Sequence, residues 1–326
     1  MNSQMNVNLT EEEYRFCVRV AKLYYENDLT QNEIAEKLGF SRVKINRVLK
    51  QAREAGILEV HINAPDDFYF DIENALIAKY GLRDAFVVMD EEPGPALYLS
   101  LARGAASWLK QHFEPGICIG LGLGRTISFL PQAFNLPDPV DCTFVEIVGA
   151  ASSNSNGLAS YNVTSKMAEL AGGKAEFFYA PTFVSDPDLK RRLLQESSVV
   201  KAVELARSAT ITLQSVGPVD NSALLFLYKY IDESVLEELQ QKGAVGDALG
   251  HYYDRNGNHI PSTTDDRCIG IELDDLKRIP WSVCIAGGSE KVLPIHGAIK
   301  GNFFNVLVTN LSTAQSLLNI EANHAG

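Results

Sequence analysis

No apolar run in this 326-residue chain approaches the roughly 18 residues a membrane-spanning helix needs, so no transmembrane segment is expected. Residues 1–10 are polar and lack the apolar centre of a secretory signal peptide, which argues against export. Cysteine is sparse. The five, Cys17, Cys118, Cys142, Cys268 and Cys284, are scattered, and no two have the close spacing of a zinc or redox motif. Cys118, Cys142 and Cys284 fall in strand-like apolar runs and read as small core residues. Neither a metal nor another cofactor is expected, and a reducing cytoplasm is the compartment that fits. Nucleophile elbow, metal cluster and assembled triad are all missing from the pattern. Positive charge is also short: 29 Lys and Arg stand against 41 Asp and Glu, for a net charge of −12.

That deficit argues against nucleic-acid binding only if the charge is evenly spread, and it is not. Residues 1–58 hold nine basic and eight acidic residues, a net of +1, leaving −12 − 1 = −13 for the rest. Within 41–53 (SRVKINRVLKQAR) there are five basic residues and no acidic one. The acidic remainder should be repelled by phosphates, so DNA contact is confined to the N-terminal segment.

The local signals there spell three helices. Thr10 with Glu13 and Thr30 with Glu33 are capping-box pairs, and Ser41 caps a third helix running to about Ala55. Gly39 and Gly56 stop the second and third helices. Phe16, Val20, Leu23 and Tyr24 in the first, Ile34, Ala35 and Leu38 in the second, and Ile45, Val48, Leu49 and Ala52 in the third recur at helical spacing. Two short helices joined by a tight glycine turn make a helix-turn-helix. The outer side of the third helix offers Arg42, Val43, Lys44, Asn46, Arg47 and Lys50. Early residues of a recognition helix reach base edges. Arg42, Lys44, Asn46 and Arg47 are the candidate base readers, Val43 fits a thymine methyl, and Lys50 and Arg53 fit phosphates. The alternation at 57–62 (ILEVHI) predicts a wing strand. The alternative is an ordinary three-helix bundle with a solvated basic face.

Ala64-Pro65-Asp66-Asp67 marks a boundary, followed by an amphipathic linker helix at 68–80. That helix serves either as a dimer contact or as a layer on its own chain's body. Beyond Gly81, apolar runs at 85–89, 117–121, 143–148, 175–179, 211–216, 283–286 and 305–309 alternate with helical segments at 97–112, 125–135, 161–171, 187–206 and 232–241. This predicts an α/β fold with a mostly parallel sheet covered on both faces. The expected domains are a helix-turn-helix at 1–63, a linker helix at 64–80 and a large domain at 81–326.

Ligands of such sheets sit beyond the carboxyl ends of the strands. Four segments lie there. The turn 120–126 (GLGLGRT) can cradle a phosphate or simply join strand to helix, and it lacks the dinucleotide spacing. The loop 149–156 (GAASSNSN) fits sugar hydroxyls or a solvated turn equally. In 243–254, Asp247 sits among apolar residues, where a carboxylate is costly without partners; it either accepts sugar hydroxyls or caps a helix. His251 beside it reads as a surface or a core residue. Lys291, after the strand VCIAG, opens a helix near the same edge.

The run LTQNEIAEKLGFSRVKINRVLKQAREAGILEVHI resembles the N-terminal domain of the SorC family of bacterial sugar-binding regulators, and the resemblance extends to about Leu318. It implies a winged-helix-like head on a Rossmann-like body akin to the sugar-phosphate isomerase and CoA-transferase folds. It also implies a homotetramer, a dimer of dimers. In the family a Tyr and a Gln outside the recognition helix help dock DNA; Tyr24 and Gln31 match them. The glycine-rich turn, here Gly122, Gly124, Arg125 and Thr126, holds the effector's phosphate, while positions matching Asp247 and Lys291 contact its sugar. Pro294 and the Gln214-Ser215 pair depart from the family's glycine-rich pattern. DNA-binding candidates are therefore Tyr24, Gln31, Ser41, Arg42, Lys44, Asn46, Arg47 and Lys50.

The expected function is transcriptional regulation of a carbohydrate or polyol operon, with a double-stranded DNA operator and a free or phosphorylated sugar as partners. Two alternatives stay open. One is an isomerase-like enzyme carrying a DNA-binding head, with Asp247 and Lys291 as its acid–base pair. The other is a body that only oligomerises and takes no ligand.

Overall fold

The computed structural model describes residues 9–60, 69–150 and 160–321. The chain divides into two compact units, 1–65 and 66–326.

The first unit is a three-helix domain. Helix α1 (Glu11–Tyr25) and α2 (Gln31–Leu38) both start on complete capping boxes, Thr10 with Glu13 and Thr30 with Glu33. Gly39 ends α2 at φ 71°, a left-handed conformation that costs glycine nothing. Helix α3 (Arg42–Glu54) starts on Ser41, whose hydroxyl accepts the Lys44 amide. Val20, Ile34, Ile45 and Ala52 are wholly buried where the three helices meet. Residues 57–60 form no strand, and 61–62 lie outside the described residues. Ile57 instead packs its side chain on the three-helix core. The expected wing strand is therefore corrected over its four described residues.

The second unit is built on seven strands: β1 (Asp84–Val88), β2 (Ile117–Leu121), β3 (Cys142–Glu146), β4 (Lys174–Glu176), β5 (Ile211–Gln214), β10 (Trp281–Ile285) and β11 (Val306–Asn310). Their order is β1-β11-β10-β5-β2-β3-β4, and every neighbouring pair is parallel. Side chains alternate between two separate apolar layers. Val306 and Val308 face one layer and Leu307 the other; Val283 and Ile285 face one and Cys284 the other. Each face thus needs a cover, which is why the inner strands are largely apolar, whereas the edge strand β4 (KAE) is exposed at both ends. Helix α5 (Pro95–Gln111) covers one face through Leu101, Ala105 and Trp108. The helix Ser197–Arg207 and α4 (Phe70–Tyr80) cover the other. Leu76 of α4 is fully buried there, so the linker helix is a layer of its own body.

The helix expected at 125–135 is broken into α6 (Arg125–Ser128) and α7 (Leu130–Ala133), with Pro131 in the first turn of α7. That expected at 187–206 is likewise split into Pro187–Leu193 and Ser197–Arg207. A second sheet has no counterpart in the sequence reading. It joins β6 (Gly217–Pro218), β7 (Ala244–Ala248), β8 (His251–Asp254) and β9 (His259–Ile260) in that order, all antiparallel. Asp247, expected in a loop or as a helix cap, lies on β7. Leu249 and Gly250 form the β7–β8 turn with φ of 54° and 86°, the pattern of a type I′ hairpin. Leucine is an uncommon occupant of such a position.

Candidate effector cleft and nucleic-acid interface

Chain order reverses between β2 and β5. From β2 the sheet grows outward to β3 and β4, then β5 returns to the other side of β2 and growth continues to β10 and β11. Loops leaving such a reversal splay apart and leave a crevice. A cleft of about 970 Å³, its open mouth included, occupies this place. Its walls come from the carboxyl ends of β2 (Gly124, Arg125, Thr126), β5 (Ser215, Gly217) and β10 (Gly287, Lys291), and from the β7 hairpin (Asp247, Leu249, Gly250).

Five of the six residues read from the sequence as an effector site line this one cleft: Gly124, Arg125, Thr126, Asp247 and Lys291. Gly122 does not. It is buried at the end of the sheet, where its amide donates to Leu213 O at 2.9 Å and a Cβ would come within 3.2 Å of Gln214 Cβ. Glycine there serves packing. Gln214 is equally internal, its amide nitrogen donating to Ser282 Oγ and Phe303 O at 3.2 Å. Ser215 is the member of that pair that reaches the cleft. Of the loop 149–156, residues from 151 on lie outside the described residues.

Asp247 is held tightly from the protein side. The Gly250 amide donates to its Oδ2 at 3.3 Å, and a Cβ on the facing Gly217 would collide with its Oδ1. Burial pushes its carboxyl up to about 6, against the pull of Lys291, the Gly250 amide and His251. Burial likewise lowers the Lys291 ammonium from its ordinary value, and the Asp247 charge opposes this. The two feel each other's charge, yet no salt bridge joins them among the described residues; Lys291 Nζ donates instead to Val216 O at 2.8 Å. Carboxylate and ammonium therefore stand apart in a poorly solvated cleft, each with bonding capacity left over.

Across the cleft, Arg125 Nη2 donates to Ser222 O at 2.8 Å and Nη1 reaches Tyr98 Oη at 3.5 Å, which fixes the guanidinium beside the glycine turn. The amides of Gly124, Arg125 and Thr126 have no acceptor among the described residues. Because α6 is a single turn, no long helix dipole backs these amides, and the turn's affinity for an anion rests on the amides, Arg125 and Lys291 themselves. Tyr98, Phe183, Tyr228 and Tyr230 add an aromatic wall, beside aliphatic residues such as Leu123, Leu224 and Leu225. Sequence reasoning missed the four aromatics, which come from separate segments with no shared spacing.

In the first unit, α3 presents Arg42, Lys44, Asn46, Arg47 and Lys50 to solvent, with Val43 78% exposed among them. Arg42, Asn46 and Arg47 have no side-chain partner among the described residues. Three others are partly engaged. Ser41 serves as the cap of α3, Lys44 Nζ lies 3.8 Å from the centre of the Phe40 ring, and Lys50 Nζ is 3.7 Å from Glu54. Tyr24, Gln31 and Arg42 line one open groove between the end of α1 and the starts of α2 and α3.

Comparison with known proteins gives a consistent result. The Sugar-bind family model, describing a sugar-binding domain, matches residues 66–319. The deoxyribonucleoside regulator of Bacillus subtilis (strain 168) is 31% identical over 312 residues, covering 95% of this chain and 99% of that protein. The sorbitol operon regulator of Klebsiella pneumoniae is 31% identical over 318 residues, covering 94% and 98%. Among solved structures, full-length SorC from Klebsiella pneumoniae superposes with a TM-score of 0.72 at 27% identity, covering 96% of this chain and 100% of that one. These full-length relatives are regulators by name, which removes the isomerase-like alternative. The family-model match over most of the body, together with full-length relatives at 31% identity, makes this chain a member of the SorC family of sugar-binding transcriptional regulators.

Proposed function

We propose that the chain controls a carbohydrate or polyol catabolic operon, with operator DNA bound by the head (1–63) and a phosphorylated sugar or polyol bound in the body (81–326). The observation that carries the ligand's chemistry is the pairing, in one cleft, of Asp247 with a separate set of cationic and amide donors at Lys291, Arg125 and Gly124–Thr126. A carboxylate with a spare lone pair accepts sugar hydroxyls, and the donor set holds a phosphate. The aromatic wall suits the apolar face of a carbohydrate.

On the DNA side, Arg42, Asn46 and Arg47 are the base-reading candidates. Lys50 is a phosphate contact, and Tyr24, Gln31, Ser41 and Lys44 position the head. A single helix-turn-helix covers too few base pairs, so the working form is an oligomer, a tetramer built as a dimer of dimers, acting in the cytoplasm. The effector changes operator affinity only if it binds two arrangements of that oligomer unequally. A thermal-shift panel of free and phosphorylated pentoses, hexoses and polyols tests the ligand class, since a ligand raises stability by RT ln(1 + [L]/Kd). The expected result is a melt shifted by a phosphorylated compound and not by its free counterpart. A shift by free sugars alone would assign the donor set another role.

A further inference from the structure

The small antiparallel sheet brings together three residues that no sequence spacing connects. His251 opens β8 directly after the turn beside Asp247, His259 lies on β9, and Asp265 follows in the turn beyond. His251 Nδ1 stands 2.6 Å from Asp265 Oδ1, and His259 Nε2 stands 3.0 Å from the same oxygen. The three donor atoms lie within 4.8 Å of one another. The other Asp265 oxygen is taken by the Ser262 amide, at 2.7 Å, which aims Oδ1 at the two rings.

The surroundings of His251 are anionic. Its Nε2 lies 3.2 Å from Glu272 Oε2, so this one buried ring faces a carboxylate oxygen at each nitrogen. A neutral imidazole has a single N–H. If Nε2–H donates to Glu272, Nδ1 turns a lone pair toward Asp265 Oδ1, and two lone pairs at that distance repel. A cation between them removes the conflict. Glu272 then becomes the outer partner that orients a metal-bound histidine, a common companion of such ligands.

We propose that His251 Nδ1, His259 Nε2 and Asp265 Oδ1 bind a divalent transition-metal ion of the Zn²⁺ class, with water in the fourth position. Two imidazoles and one carboxylate suit Zn²⁺, Co²⁺ or Fe²⁺ and disfavour the all-oxygen ions Mg²⁺ and Ca²⁺. Bond lengths of about 2.0–2.2 Å place tetrahedral ligand atoms about 3.3 Å apart. The His259–Asp265 separation is near that already, and the His251–Asp265 pair opens by under about 1 Å to reach it. His259 has the freedom to adjust, being 43% exposed. The ion ties β8, β9 and the following turn together. The same turn holds the Asp247 hairpin, because Thr264 Oγ1 donates to Gly250 O at 2.7 Å.

The test uses the full chain, stripped with a chelator and titrated with Zn²⁺ or Co²⁺ alone, without effector or DNA. The expected result is one Zn²⁺ retained per chain after dialysis, a raised melting temperature, and a Co²⁺ visible spectrum of tetrahedral intensity. His259→Ala, at a partly exposed position, should keep the fold and weaken Zn²⁺ binding at least 100-fold; Glu272→Gln should weaken it 10- to 100-fold. No retained metal with an octahedral Co²⁺ spectrum would mean that a proton alone bridges the cluster, and the proposal fails. Retention of equal strength in the wild type and in His259→Ala also overturns it, since the ion then sits elsewhere. Should His259→Ala fail to fold, the wild-type Co²⁺ spectrum still decides between an imidazole–carboxylate site and none.

Discussion

The two units deploy their cations in opposite ways. On the head, Arg42 and Arg47 stand in open solvent with no partner among the described residues. In the body, Lys291 and Arg125 are drawn into a cleft, donate to backbone carbonyls, and Lys291 is desolvated enough to lower its pKa. The contrast matches the two ligands proposed for them. DNA is a rigid polyanion that must reach its contacts from outside, and exposed charges recognise it cheaply but yield to salt. A small sugar phosphate has few contacts to offer, so each must be strengthened by excluding water. A head built like the cleft would be unable to reach a groove. A cleft built like the head would let salt compete the ligand away.

Four perturbations bear on this contrast. The largest effect is expected in the cleft: Lys291→Ala or Asp247→Asn should cost about 2–5 kcal/mol of effector binding, because the removed group leaves a ligand polar atom unpaired in a desolvated site. Calorimetry with the compound found in the melt panel measures it, and a loss under about 1 kcal/mol would mean that the cleft behaves like an exposed surface. Next, Arg47→Ala should weaken operator binding by about 1–3 kcal/mol and relax preference at one base pair. Equal weakening on all sequences would reassign Arg47 to phosphate.

The third effect is pH. Asp247 titrates near 6, and only its ionised form accepts hydroxyl donors on both oxygens. Effector affinity should be full above pH 7 and fall about tenfold per unit below 6, while operator binding by the arginines stays level. Asp247→Asn should make the fall shallower, leaving the effector phosphate's own titration at about pH 6, and a wild-type profile no steeper than the variant's between pH 5 and 7 contradicts the role. The smallest effect belongs to Lys50, which is exposed and shared with Glu54. Lys50→Ala should lower the slope of log K against log salt by about one or less, with no change in sequence preference.

The head is far more legible in the sequence than the cleft, and for a physical reason. Capping boxes, a left-handed glycine and apolar spacing act between residues three or four apart, so Thr10–Glu13, Thr30–Glu33 and Gly39 announce their helices locally. The inner strands are legible for a related reason: burial on both faces makes each a largely apolar run, whereas the edge strand β4 covers only the start of the run expected at 175–179. Asp247 drew notice as a charge among apolar neighbours, though its strand did not. Gly246 in β7 masked the alternation, and β6 and β9 have only two residues each. The breaks after Ser128 and Leu193, the aromatic wall and the His251–His259–Asp265 cluster depend on segments meeting across the fold. Gly122 reads as a phosphate contact from the motif alone, and in the fold the neighbouring strand also leaves a Cβ little room there.

The central claim is that occupation of the cleft changes what the head does. Fluorescence anisotropy of the full-length protein on a duplex carrying its operator, with and without saturating effector, tests it directly. Operator Kd should change by about 5- to 150-fold in the wild type and far less in Asp247→Asn at the same effector concentration. An effector that shifts the melt strongly yet leaves operator Kd unchanged in the wild type would contradict it.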